Sequence, residues 1–277
     1  VTFDPDELGR SKQDLAENLR ALRKRAGLSG EELARYCNMS QSKISKIETG
    51  KIDPSLTDVE CILRALGASP KMVSEMTSLA RLASTEWQDK RSSWRRGVVR
   101  RQAELAALEA AATRLRFFLP SMITGLLATP EYVKASLAYT PGDKSAAMAR
   151  KLERQAILYD KSKNFSFILT EQAVNWAVVS PPAMSVQIDR LTSLSHLANV
   201  NLGVIPYGTV LPRGPMNTFT VYDGRLATAE TFTGRMVFQD PRDVRQYLDI
   251  FSPFEQCAVF EQDAREHLNE WSRRYRQ

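Results

Sequence analysis

The spacing of apolar residues changes character part-way along the chain. Over residues 14–70 apolar positions recur every three or four residues and predict a series of short helices with little between them. Leu15, Leu19, Leu22 and Ala26 make one stripe, and Gly27 follows where a left-handed stop is wanted. Ser29, backed by Glu31 and Glu32, supplies an N-cap and an acidic first turn for a brief helix carrying Leu33, Ala34 and Cys37, which Asn38 can close. Ser40 caps a third helix that turns Ile44 and Ile47 inward and ends at Gly50. After the turn residues Asp53 and Pro54, Ser55 opens a fourth, striped by Leu56, Val59, Ile62, Leu63 and Leu66 and stopped by Gly67; Pro70 stands at the start of a fifth.

From Ala80 to about Arg116 the pattern predicts charged helix, with Gly97 as its one soft point. The string FFLPSMITGLLATPEYV then holds two prolines and a glycine, which exclude one regular helix. Strands are predicted at 165–170 (FSFILT), 200–206 (VNLGVIP), 219–223 (FTVYD) and 226–232 (LATAETF), with helical stretches around 146–159, 184–197 and 241–271. The expected fold class is therefore α plus mixed α/β: an N-terminal five-helix domain over 1–84, a charged helical linker over 85–108, and a mixed α/β domain over 109–277.

Composition narrows the function classes. A chain of 277 residues, 43% apolar and 25% charged, fits two globular domains. No apolar run approaches the roughly 18 residues of a spanning helix, and VTFDPDELGR lacks the apolar core of a signal peptide. A cytoplasmic protein without a membrane partner is expected. Cys37, Cys61 and Cys257 are far apart in sequence, an odd set that fits a reducing compartment and argues against structural zinc. Cys257 lies on the apolar side of its helical pattern and is read as a core thiol. With His196 and His267 as the only histidines, no metal, cofactor or histidine-based catalysis is expected. Net charge is +6, and it is unevenly spread: residues 1–120 hold 21 basic and 16 acidic residues, the remainder 17 and 16. The surplus points to a polyanion partner for the first half. The basic stretch over 90–101 is either an extension of that surface or a solvated helix, and Trp87 and Trp94, seven apart, share one helical face there.

The strongest local signal is LSGEELARYCNMSQSKISKIETGK: a two-turn helix, a tight turn through Asn38 and Met39, and a second helix opening at Ser40. Small Ala34 permits close helix approach, Ile44 and Ile47 anchor the second helix, and its outward positions stay free. These residues resemble the Xre-type helix-turn-helix family, that of the lambdoid phage repressors, over roughly residues 12–70. The resemblance implies a lambda-repressor-like fold and binding to double-stranded DNA. It pairs Arg23 with Glu48 as a structural ion pair and makes ETGK, from Glu48 to Lys51, the family's turn. Gln41, Ser42, Ser45 and Lys46 are placed at base-reading positions, where Gln suits adenine and Lys guanine. Ser29, Ser40, Lys43 and Lys51 are placed against phosphate. A lone module of this kind touches too few base pairs for genomic specificity, so a homodimer on a palindrome is expected.

From about Glu104 onward the chain resembles the C-terminal domain of actinobacterial, antitoxin-like regulators. The resemblance rests on Glu109, Phe117, Pro120, TGLLATPEYV over 124–133, Arg154 with Gln155, Glu171, and FTVYDGR leading to Glu230. It implies control by a small-molecule effector or a small partner protein. Arg154 and Glu171 are candidates for an ion pair in an effector pocket walled by Tyr207, Phe219 or Tyr222; a purely structural salt bridge is the alternative. The order of strands and helices is also similar to half of a phospholipase-D-type unit. Its His-x-Lys motif is missing, since His196 precedes Leu197 and Ala198, and His267 precedes Leu268 and Asn269. Ser193, Ser195 and His196 lack a GxSxG elbow, so no enzyme is expected.

Overall fold

In a computed structural model the described residues are 7–52, 54–89, 98–139, 143–232 and 234–277. They form two compact units: residues up to Glu86 together with Phe238–Asp240, and Trp87–Val237 together with Pro241–Gln277.

The first unit contains helices α1 (Glu7–Arg25), α2 (Gly30–Tyr36), α3 (Gln41–Glu48), α4 (Leu56–Ala65) and α5 (Pro70–Ser84). Local signals set their ends. Ser29 and Glu32 exchange hydrogen bonds in a capping box, as do Ser55 and Asp58, and the Ser40 hydroxyl accepts from the Lys43 amide. Gly27, Gly50 and Gly67 end α1, α3 and α4 with positive φ, and Asn38 takes φ 50° in the turn between α2 and α3. Leu15, Leu19, Leu33, Ala34, Ile44, Ile47, Val59, Ile62, Leu63 and Met76 meet in one core. Each Leu, Ile, Val or Met side chain so buried contributes about 1.5–3 kcal/mol, which helices this short need.

The second unit is built on a sheet with the strand order β1-β7-β6-β5-β2-β3-β4. Its strands are β1 (Thr85–Asp89), β2 (Arg114–Leu119), β3 (Asn164–Thr170), β4 (Val200–Ile205), β5 (Phe219–Tyr222), β6 (Leu226–Glu230) and β7 (Gly234–Phe238). β2 is the hub, parallel to β3 and antiparallel to β5; β3 and β4 are parallel, and β5 and β6 form a hairpin. Asp223 and Gly224 turn that hairpin with φ of 52° and 70°, the paired positive values of a type I′ turn. The Asp223 carboxylate also ties the start of β2 down, accepting from the Thr113 amide and hydroxyl and the Arg114 amide.

Helices cover both faces. Leu115, Phe117, Phe165, Phe167 and Leu202 pack in the core with α7 (Pro130–Ser136), α9 (Pro181–Leu194) and α11 (Glu261–Arg274). On the other face Phe118 stacks on Phe254, and Phe219 packs against Tyr247 and edge-on to Phe251, all three on α10 (Pro241–Cys257). α6 (Val98–Ala111) precedes β2, and α8 (Ser145–Glu153) runs into a 3-10 turn, Arg154–Tyr159.

Several expectations are corrected. Of the proposed helical linker over 85–108, residues 85–89 form β1 and residues 98–108 belong to α6; residues 90–97, with most of the basic stretch and Trp94, lie outside the described residues. Residues 114–116, read as the tail of a helix, and 117–119, read as the start of an irregular segment, form β2, and β7 went unrecognised. The helical stretch 241–271 divides at residues 258–260, where Val259 bridges to Val204 of β4. Cys257 is half-buried at the end of α10, its Sγ 3.7 Å from the Val210 carbonyl, and so is not a core thiol. Cys37 and Cys61, distant in sequence, meet in one core. Among the described residues no helix is long and apolar enough to cross a membrane.

Candidate nucleic-acid interface

Burial along α3 separates the helix into two faces. Ile44 and Ile47 are buried to 1% exposure, whereas Gln41, Ser42, Ser45, Lys46 and the C-cap Thr49 are exposed. On a helix those five positions form one continuous outward stripe, because 41, 45 and 49 stack above one another and 42 and 46 lie beside them. Thr49 was not singled out from the sequence. Its hydroxyl donates to the Ser45 carbonyl at 2.8 Å, which closes the end of the stripe.

The far end of α3 is fixed by Arg23. Its Nε and Nη2 donate to the two Glu48 carboxylate oxygens at 2.6 and 2.7 Å, and Nη1 donates to the Leu28 carbonyl at 2.7 Å. The fork thus holds α1, the turn before α2, and α3 together, in the pairing expected from the sequence. The hydrogen bond to Glu48 also raises the guanidinium pKa above its ordinary value, against the opposing effect of burial.

The residues expected at phosphate differ in what they are free to do. Ser29 and Ser40 are exposed, and their hydroxyls already accept the Glu32 and Lys43 amides. Their positions put helix N-termini beside them, where backbone amides favour anions. Lys51 is exposed in the turn after α3. Lys43 departs from the expectation of an unengaged cation: its Nζ donates to Asp58 Oδ1 at 2.7 Å. Asp58 in turn accepts from the Ser55 amide. Burial pushes the Asp58 carboxyl up, but the bonds from Lys43 and Ser55 outweigh it and leave the carboxyl below its ordinary range.

Of the five residues proposed to line an effector pocket in the second unit, Glu171 and Tyr207 are brought together, but Arg154 and Glu171 do not pair and the five share no single site. Arg154 is bound bidentately by Glu109 of α6, with Nε to Oε2 at 2.9 Å and a second bond from Nη2 to Oε1. Glu171 instead accepts from Arg274 at 2.7 Å and from the Tyr207 amide at 2.9 Å. Phe219 and Tyr222 are three apart on β5 and therefore point to opposite faces of the sheet. Phe219 lies under α10, while Tyr222 joins the other core, where burial first, and the Glu109 charge second, push its phenol up to about 12. Arg154 and Glu171 are thus structural anchors, each with its own partner.

A second pair of anchors explains the TGLLATPEYV signature. Gln155 Nε2 donates to the Gly125 and Ala128 carbonyls at 2.8 and 2.7 Å, and its oxygen accepts from Arg190 at 2.7 Å. Fully buried Gln187 accepts from the Thr129 amide and donates to the Leu127 carbonyl. The Tyr132 hydroxyl accepts from the Ile123 amide. An irregular buried segment has no ladder of its own, so these side chains satisfy its backbone.

Comparison with known families agrees with this division. The model for a helix-turn-helix domain matches residues 14–76, and that for a domain of unknown function, DUF5753, matches residues 102–270. The chain belongs to the DUF5753 family. In this DUF5753 protein the helix-turn-helix match spans α2, the turn and α3, the elements that expose the stripe, and marks a regulator of the DNA-binding kind. A search of curated proteins finds no match. Among solved structures, the phospholipase D family member Nuc from Salmonella typhimurium is similar at a TM-score of 0.37 and 12% identity, over 64% of this chain and 97% of that one. A likeness that low carries no argument about the DUF5753 domain.

Proposed function

We propose that the protein is a sequence-specific transcriptional regulator of the lambda-repressor-like, Xre type, in which α3 enters the major groove of double-stranded DNA. The observation that carries this reading is the exposed stripe of Gln41, Ser42, Ser45, Lys46 and Thr49 on a helix whose opposite face is buried and whose end Arg23 holds. Gln41 and Lys46 supply hydrogen bonds to base edges, and Ser42 and Ser45 are small enough to let the helix approach. Ser29, Ser40 and Lys51 surround the stripe with phosphate contacts that set its register. The chain acts as a homodimer on a palindromic operator, because one helix reads too few base pairs to pick a site from a genome. The DUF5753 domain controls occupancy in response to a small-molecule effector or a small partner protein, as in antitoxin-like regulators. Exposed apolar side chains at Trp176, Tyr207, Val210 and Met216 favour the partner protein. The protein performs no catalysis in this reading. The Ser193 and Ser195 hydroxyls donate to the Asp189 and Thr192 carbonyls of their own helix, which is a poor arrangement for a nucleophile.

Selection of binding sites from a random duplex library, using the full chain, tests the reading. Recovery of a palindrome whose enrichment disappears with Gln41→Ala and Lys46→Ala together is the expected result. Enrichment of no sequence above background, or of one that the double variant binds equally, defeats it.

A further inference from the structure

Cys37 and Cys61 are 24 positions apart, and the fold places them side by side. Cys37 is the C-cap of α2 and is buried; Cys61 lies on α4 and is half-buried. Cys61 Sγ stands 3.7 Å from the Cys37 carbonyl oxygen, close enough for the Cys61 thiol to act electrostatically on that of Cys37. The pair has one face to the outside. Cys61 lines a surface cavity of about 470 Å³ together with Tyr36, Thr57 and Arg64, whereas Cys37 is 6% exposed.

We propose that Cys37 and Cys61 form a peroxide-responsive dithiol pair, in which a hydroperoxide oxidises Cys61 from the cavity and Cys37 then closes a disulfide between α2 and α4. In the first step Cys61, as thiolate, attacks one oxygen of hydrogen peroxide. The O–O bond breaks, hydroxide leaves and takes up a proton as water, and Cys61 becomes a sulfenic acid. In the second step the Cys37 sulfur attacks the Cys61 sulfur, the S–O bond breaks, and the departing hydroxide takes the Cys37 proton to give a second water. The two sulfurs lose two electrons in all, and the peroxide gains them. The order of the steps follows from access, since only Cys61 borders the cavity. Burial reinforces it by pushing the Cys37 thiol up to about 12, so that Cys37 resolves slowly and does not react first.

The position of the bond gives it a role. The loop it would close runs from residue 38 to residue 60 and holds all of α3, the capping Ser40, and the Lys43–Asp58 pair. Oxidation would thus place the base-reading helix inside a covalent ring, and reduction would release it.

The test uses the full chain carrying Cys257→Ser, folded by circular dichroism, and treated with hydrogen peroxide near stoichiometry. The expected product has lost two hydrogens, yields a Cys37–Cys61 linked peptide on digestion, and reverts with dithiothreitol. Cys61→Ser should abolish the reaction, and Cys37→Ser should leave a sulfenic acid at Cys61 that dimedone traps. Retention of both thiols under exposure that oxidises free cysteine would overturn the proposal. So would a linked peptide that appears only after unfolding in urea, or a dimedone adduct on Cys37 in the Cys61→Ser variant.

Discussion

Arg23 reaches across 25 residues to hold both oxygens of Glu48, and with its remaining nitrogen it holds the carbonyl of Leu28. One planar side chain thereby fixes the end of α3 relative to α1 and to the approach of α2. Both partners are largely shielded, with side-chain exposures of 14% and 9%. Replacing Arg23 with Ala strands a carboxylate and a carbonyl and should cost about 3 kcal/mol in urea unfolding. Arg23→Lys should recover less than half of that, because an ammonium group cannot span three acceptors in this geometry.

Within α3, the exposed stripe predicts two distinguishable kinds of loss. Gln41→Ala and Lys46→Ala should each cost about 1–3 kcal/mol on the preferred site and relax its sequence at one position. Lys51→Ala should weaken all sequences alike and reduce the slope of log affinity against log salt by about 1. Fluorescence anisotropy across a salt series, on the selected operator and on a scrambled duplex, separates the two.

The Lys43–Asp58 contact predicts a pH dependence with a definite sign. The folded-state carboxyl lies below its ordinary range, so its contribution is complete above the unfolded value of about 3.9 and is lost as pH falls through the lower folded value. Asp58→Asn keeps the shape and removes the charge. Its stability deficit, about 1 kcal/mol for a half-exposed pair, should be constant from pH 5 to 8 and shrink below about pH 4. Thermal unfolding of both proteins across that range checks this.

In the second unit, Glu109 and Arg154 are nearly fully enclosed, at 2% and 10% side-chain exposure. Glu109→Gln should destabilise by about 3–5 kcal/mol, since it leaves a buried guanidinium uncompensated. The double variant Glu109→Leu with Arg154→Met should lose much less than either charge-removing single substitution. A double-mutant cycle by chemical denaturation gives the coupling.

Gly203 on β4 predicts a steric effect of similar clarity. A Cβ there would sit 2.5 Å from the Phe260 ring, which caps the start of α11. Gly203→Ala should cost about 2 kcal/mol through overpacking, and Phe260→Leu in the same chain should restore part of it. Differential scanning calorimetry of the two variants decides the point.

These contacts also show where sequence alone succeeds. Ser29, Ser40 and Ser55 act on amides three residues away, and Gly27, Gly50 and Gly67 act on their own backbone, so the helices of the first unit could be read locally. β2 could not, because RLRFFL follows a helix without a Gly or Pro between them and its run of three apolar residues breaks a simple alternation; only its neighbours β3 and β5 make it a strand. Arg154 is matched with Glu171 on sequence grounds, whereas its partner is Glu109, since charge says nothing of which acid lies within reach. The separation of Phe219 from Tyr222 was available from strand parity, which an odd spacing of three reverses. Cys37 and Cys61 were read as isolated because their proximity depends on how α2 meets α4, a tertiary fact.

The hub position of β2 carries a further consequence, for the order of assembly. Arg114 pairs with Asn164, 50 residues on, and Leu115 pairs with Tyr222, more than 100 residues on. Contacts of such long range require the loops between them to close first, and this slows folding. The first unit joins helices that are close neighbours in the chain and needs no such wait. On a ribosome, α3 is therefore complete while the sheet of the second unit still lacks its middle, and the second unit closes after the first.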